Sequence, residues 1–313
     1  MPDFHTPLCD LLGCRYPIVQ TGMGWVTGSN LVAATTHAGG FGFLAGATIA
    51  SDRIEAEIVR VRELTGDRPF GVNFHMFQPN AAQVLDLVVR HRIRAVSYGR
   101  GPDRKVIGRL REAGIICMPT VGALKHAQKA IELGADVITI QGSEGGGHVG
   151  SVATTVLLPQ VVDAVKVPVI ASGGIADGRG IAAAFALGAS GVQIGTAYLR
   201  CPESKVIAPA RAALAQATDE STVITNVMTG RPARGVANRV MKEVGPISPD
   251  APAFPHASTA LGPLKAAAEK LGRVDFTNLW AGQAVRMGRE MPAAELTRAL
   301  AGEALARMRQ MAG

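Results

Sequence analysis

Aromatic side chains, cysteines and long apolar runs are all scarce in this 313-residue chain. Nine Phe, three Tyr and two Trp leave few stacking platforms, and the basic residues are scattered through helix-like stretches. Despite a net charge of +7, nucleic-acid binding is therefore not expected, whereas attraction to anionic cofactors or acyl thioesters is. The four cysteines, Cys9, Cys14, Cys117 and Cys201, show no CxxC or zinc-ligand spacing. Free thiols in a reducing cytoplasm are expected. There is no uninterrupted run of ~18 apolar residues, so no membrane span is expected. The opening MPDFHTPLCDLLGCRYP carries acids where a signal peptide carries positive charge. GxSxG, HExxH, EF-hand and Walker A patterns are missing, and no metal site is expected.

What is present is alternation. Short apolar runs fall at 17–20, 41–45, 70–74, 94–98, 115–118, 136–141, 168–172 and 191–195. Between them lie longer stretches of helical period, several starting near Ser, Asn or Asp and stopping at Gly. Strands apolar on both faces, each followed by a helix, predict a parallel sheet, and eight such units in about 200 residues predict an α/β fold, a closed (β/α)8 TIM barrel. An open doubly wound sheet would need GxGxxG after the first strand, where this chain reads QTGMGWVTG. After Cys201 the pattern changes to Pro- and Gly-rich segments. The expectation is a barrel from 1–201 and 276–313, with 202–275 as a small helical insert or lid after strand eight.

In such a barrel the chemistry sits in the loops after the strands. Ser172-Gly173-Gly174 and Gly195-Thr196 follow strands seven and eight, where backbone amides and a helix N-terminus can cradle a phosphate. The sixth loop, Gly145 to Gly150, carries His148, placed to take a proton from a weakly acidic carbon or to hold a substrate oxygen. Glu144 beside it is assigned no catalytic role. The other six histidines read as structural; among them only His75 stands at a strand end. Asn73 and Gln141, ending strands three and six, suit hydrogen bonding to a flat heterocycle or to their barrel neighbours.

PIVQTGMGWV, AGGFG, PFGVN, GADVITIQGSEGGGHVG, PVIASGGIADGRG, ALGASGVQIGTAYL and WAGQ, in this order, resemble the nitronate monooxygenase (2-nitropropane dioxygenase) family, which is similar to the FMN-dependent enoyl-acyl-carrier-protein reductases. The likeness covers 7–200 and resumes near 278. It implies an FMN-dependent oxidoreductase with non-covalent FMN in the barrel mouth. The flavin would meet Gly22, Met23, Gly24, Asn73, Gln141, Gly146 and Gln283, and its phosphate Ser172, Gly173, Gly174, Gly195 and Thr196. His148 matches the family's catalytic histidine. The implied reaction is oxidation of alkyl nitronates or nitroalkanes by O2 to a carbonyl compound and nitrite. The alternative is an NAD(P)H-dependent reductase or dehydrogenase of an enoyl or other acyl thioester, or of a quinone. Either way the partners are a small-molecule substrate with O2 or NAD(P)H, and the sequence leaves a homodimer open.

Overall fold

The computed structural model describes residues 4–99 and 101–313. Eight parallel strands close into a barrel: β1 (Ile18–Gln20), β2 (Phe41–Leu44), β3 (Gly71–Phe74), β4 (Ala95–Tyr98), β5 (Ile116–Val121), β6 (Ile138–Gln141), β8 (Val169–Ser172) and β9 (Gly191–Ile194). Closure is made by β9 on β1, with Ile18, Val19 and Gln20 opposite Val192, Gln193 and Ile194. Each barrel strand lies at one of the eight expected runs. Those runs read as apolar throughout because both faces are covered, one by the barrel interior and one by the helices.

The barrel floor shows how side-chain size sets this packing. Leu8 and Leu12, on the first helix (Pro7–Leu12), are fully buried against Val19, Phe41, Phe43, Met118 and Ile170. Burying one such leucine contributes about 1.5–3 kcal/mol. Space for it comes from Gly191, where a Cβ would lie 2.4 Å from Leu8 Cδ2. Gly71 does the same for Phe43, whose ring would lie 2.2 Å from a Cβ there. The last helix, Ala293–Ala312, returns to the barrel and packs between the helices Gly178–Ala186 and Ser29–His37. Its fixing points are a buried hydrogen bond of 2.8 Å between the Thr297 and Tyr198 hydroxyls and its first amide, Ala293 N, donating to the Glu203 carboxylate.

Residues 202–275 contain four helices, Ala208–Gln216, Arg239–Glu243, His256–Ala260 and Gly262–Lys270. They also contain a hairpin that helical reading of the sequence missed: β10 (Thr222–Thr225) and β11 (Ala233–Val236). A two-residue strand in the sixth barrel loop, β7 (Gly147–His148), adds to its edge, with His148 opposite Ala233. The insert is thus hydrogen-bonded to the loop that carries the candidate histidine. Among the described residues no helix is long and apolar enough to cross a membrane.

Candidate active site

The predicted residues form a connected rim around the barrel mouth. Gly22 abuts Asn73, since a Cβ at Gly22 would sit 2.6 Å from Asn73 Cβ. Gly24 lies against Thr48, and Met23 reaches Gly195, whose added Cβ would be 3.5 Å from its sulfur. Thr196 Oγ1 accepts from Gly282 N at 2.9 Å, and the next amide, Gln283 N, donates to Glu144 O at 2.9 Å. Gly146 packs on Ala281, 2.9 Å from a Cβ position. Gln141 then donates from Nε2 to the Gly146 and His148 carbonyls, at 3.2 and 3.0 Å. The WAGQ segment therefore touches this rim through its backbone, while the Gln283 side chain is exposed. Arg100, in the fourth barrel loop, lies outside the described residues.

The phosphate cradle differs from expectation in one part. Gly173 and Gly174 have φ of +103° and +72°, a region that favours glycine. Among the described residues the amides of Gly173, Gly174, Gly195 and Thr196 donate to no protein acceptor. Ser172 lies beneath them, its carbonyl accepting from Gly142 N. The helix N-terminus expected to help is already capped by protein carboxylates. Asp177 accepts from Arg179 N and Gly180 N at 3.0 Å, and Glu303 accepts from Gly178 N at 3.2 Å. With the amides of Gly178, Arg179 and Gly180 taken by these two carboxylates, that helix start has none of the three left for a dianion. The unpaired amides fit a phosphate; the helix does not add to them.

Asn73 and Gln141 have their amide nitrogens turned to protein, Asn73 Nδ2 donating to Ser97 O and Oγ at 3.1 Å. Their carbonyl oxygens accept from no protein group among the described residues, which suits a heterocyclic N–H.

His148 is exposed on β7 and held from the insert. Its Nε2 lies 3.0 Å from Thr229 Oγ1, and its ring meets Phe254 edge-on, centroids 5.3 Å apart. Phe254 in turn meets Phe77 edge-on at 5.0 Å, and Phe77 stacks on His75 at 5.2 Å with 10° between planes. Arg231 lies over the Phe254 ring at 5.5 Å. The result is one wall of four rings drawn from the third loop, the sixth loop and the insert. Burial holds the His75 pKa below its ordinary value, opposed by a hydrogen bond to the Gly99 backbone. His75, read as structural, stacks at the far end of this wall.

Glu144, assigned no catalytic role, has a structural one, and Arg234 escaped the sequence reading. The Glu144 carboxylate accepts from Thr154 N and Oγ1 at 3.0–3.1 Å and so caps the helix Thr154–Ala164, while its carbonyl anchors Gln283. Arg234 of β11 is buried, donating from Nε to Ser143 O at 2.8 Å and from Nη1 to Thr222 Oγ1 at 3.1 Å. Burial pushes its pKa down and nearby Glu144 opposes this. The sequence reading left Glu144 without a catalytic role, and a single Arg in an insert carries no usable signal. Among the described residues no group of three His, Cys, Asp or Glu can hold a metal ion.

The sequence matches the family described as nitronate monooxygenase over residues 5–87 and 80–303. It is similar to the (3aS,4S,5R,7aS)-5-hydroxy-7a-methyl-1-oxo-octahydro-1H-indene-4-carboxyl-CoA dehydrogenase of Mycobacterium tuberculosis, 45% identical over 243 residues, 77% of this chain and 68% of that protein. It is 34% identical to a probable nitronate monooxygenase of Staphylococcus saprophyticus, covering 92% of this chain and 94% of that one. Among solved structures, the nitroalkane oxidase of Streptomyces ansochromogenes superposes with a TM-score of 0.88 at 38% identity, covering 97% of this chain and 99% of that chain.

Proposed function

This chain belongs to the nitronate monooxygenase family of oxidoreductases, and from that premise we propose that it binds FMN and dehydrogenates an acyl thioester of coenzyme A. The observation that carries the substrate class is the setting of His148. The imidazole stands at the mouth against an apolar wall of Phe254 and Phe77. That surface suits a hydrocarbon acyl group more than a small, water-soluble nitronate. The 45% relative named for a carboxyl-CoA substrate supports the same choice. The net charge of +7 favours a ligand bearing several phosphates.

The amides of Gly173, Gly174, Gly195 and Thr196, above Ser172, which donate to no protein acceptor among the described residues, would hold the FMN phosphate. Gly22, Met23, Gly24 and Gly146 offer backbone to the ring, and Gln283 closes the rim from the last segment. Asn73 Oδ1 and Gln141 Oε1, whose amide nitrogens are already engaged, would accept from the cofactor's ring N–H or ribityl hydroxyls. When bound, FMN supplies the acceptor for a hydride. His148 would take the proton from the carbon beside the thioester carbonyl, and the neighbouring carbon's hydride would go to that acceptor. One proton and one hydride leave, and a carbon–carbon double bond forms.

The relatives at 34% and 38% favour a second reading, in which O2 oxidises an alkyl nitronate and His148 orients the anion. The two separate on anaerobic mixing of the yellow holoenzyme with each reductant. Rapid bleaching by a saturated acyl-CoA, and slow or no bleaching by nitronate, is the expected result. Bleaching by nitronate alone overturns the proposal in favour of the second reading. Bleaching by NAD(P)H alone reverses the direction, making the thioester the oxidant.

A further inference from the structure

The geometry points to Cys9 and Cys14, at the barrel floor, as an oxidation site where a hydroperoxide converts two thiols into one disulfide. The new bond would tie the floor helix Pro7–Leu12 to the chain leading into β1. Nothing in this depends on the chemistry at the mouth.

The way the helix ends brings the two cysteines together. Gly13 follows the helix at φ +71°, in the left-handed region. The chain then turns back on itself: Gly13 N donates to Cys9 O at 2.8 Å, and Cys14 N donates to the same carbonyl at 3.1 Å. In such an ending the residue just beyond the left-handed one meets the side chain five positions earlier, commonly as an apolar pair. Here that pair is Cys14 and Cys9, and their thiols lie within hydrogen-bonding reach of each other. A disulfide needs close Cα atoms and facing Cβ atoms, which this turn supplies. Its flanks are fixed. Thr6 Oγ1 donates to Ser190 O at 2.7 Å, and the amides of Arg15 and Tyr16 donate to Gly39 O at 2.9 and 2.8 Å.

The pair also differs from the other two thiols in reactivity. Cys117 and Cys201 are fully buried, and burial pushes the pKa of each up to about 12. At the floor, hydrogen bonding across the pair pulls the Cys9 pKa down and pushes that of Cys14 up, so one negative charge is shared between them. The thiolate is the form that reacts. Cys9 is buried and Cys14 is partly exposed, so a peroxide meets Cys14. Its sulfur, as thiolate, attacks one peroxide oxygen, the O–O bond breaks, hydroxide leaves and a sulfenic acid remains. The Cys9 sulfur then attacks the Cys14 sulfur. An S–S bond forms, the S–O bond breaks, and the hydroxyl leaves with the Cys9 proton as water. Two thiols and one peroxide become one disulfide and two waters.

Trypsin makes the test direct, because Cys9 and Cys14 share the peptide ending at Arg15 while Cys117 and Cys201 fall in two others. The folded protein is treated with rising hydrogen peroxide, remaining thiols are alkylated in denaturant, and the tryptic peptides are weighed. The first peptide is expected to lose two hydrogens and escape alkylation at doses that leave Cys117 and Cys201 fully alkylated. Dithiothreitol before alkylation should restore it. Cys9→Ser should stop at a sulfenic acid on Cys14, trapped by dimedone, and Cys14→Ser should leave Cys9 a free thiol at the same doses. Unchanged circular dichroism shows that each sample is folded, and the wild-type result stands without the variants. Oxidation of Cys117 or Cys201 at equal or lower doses overturns the inference. So does a first peptide that gains oxygen without losing hydrogen, or one that stays fully alkylated throughout.

Discussion

The two sides of the barrel mouth are built on different terms. On one, Gly173, Gly174, Gly195 and Thr196 present backbone amides directly off barrel strands β8 and β9. On the other, His148 sits on a two-residue strand whose partners, Thr229, Ala233 and Phe254, all come from the insert. The first side needs the closed sheet alone. The second exists only while the insert is docked. Cofactor binding and proton transfer should therefore be separable by mutation, with the insert able to change the chemistry while the barrel keeps the flavin.

The sharpest separation is His148→Ala. Turnover of the acyl thioester should fall by roughly 10²–10⁴-fold, the contribution of a positioned proton acceptor, while FMN content stays at the wild-type level. Loss of both together would merge the two sides. The converse variant is Gly174→Asp. A carboxylate beside the unpaired amides should weaken FMN by about 10- to 100-fold through repulsion of the phosphate. The apo-fold should survive a strain of about 1–3 kcal/mol from the positive φ, because Asp tolerates that region better than most residues and the nearest contact an added Cβ would make is Glu144 Cβ at 3.4 Å. Equilibrium titration of apoenzyme with FMN reads this directly.

Gly230→Ala attacks the insert from within. Positive φ and backbone contact at 2.3 Å should force the 252–254 segment away, a strain of about 1–3 kcal/mol. Turnover should fall by about tenfold with FMN retained, because the Thr229 and Phe254 contacts that hold the His148 ring are displaced. Hydrogen exchange should quicken in 222–260 and stay slow in the barrel. Equal loosening of both regions would contradict a detachable insert.

The smallest effect concerns His75. Its pKa lies below the ordinary 6.5 in the folded protein, so between the two values the unfolded chain binds more protons and stability falls as pH drops. His75→Phe keeps the ring stack on Phe77 and removes the titration. The loss of thermal stability from pH 7 to pH 5 should be smaller in this variant than in the wild type. An identical loss would assign the acid sensitivity to other groups.

The same division governs what the sequence reveals. Barrel strands read clearly because burial on both faces forces short apolar runs such as VITI and VIAS, and the glycine loops follow them in register. The rim was legible for a related reason: Gly22, Asn73, Gly173 and Gly195 stand at strand ends, whose position the runs define. The insert was not. β10 and β11 are four residues each, and β7 is two, too short for a periodic signal. Thr229 meets His148 across 81 residues, and Glu303 reaches Gly178 across 125. Nothing local marks such pairs. The helix expected to help the phosphate shows the same: Asp177 caps it locally, and the second carboxylate comes from the far end of the chain.

The substrate class and the role of His148 meet in one measurement: anaerobic single-turnover bleaching of the holoenzyme by an acyl-CoA with protium or deuterium on its α-carbon. The account predicts bleaching with a normal isotope effect in the wild type, and bleaching too slow to follow in His148→Ala. Rapid bleaching without an isotope effect, unchanged when His148 is removed, would contradict it.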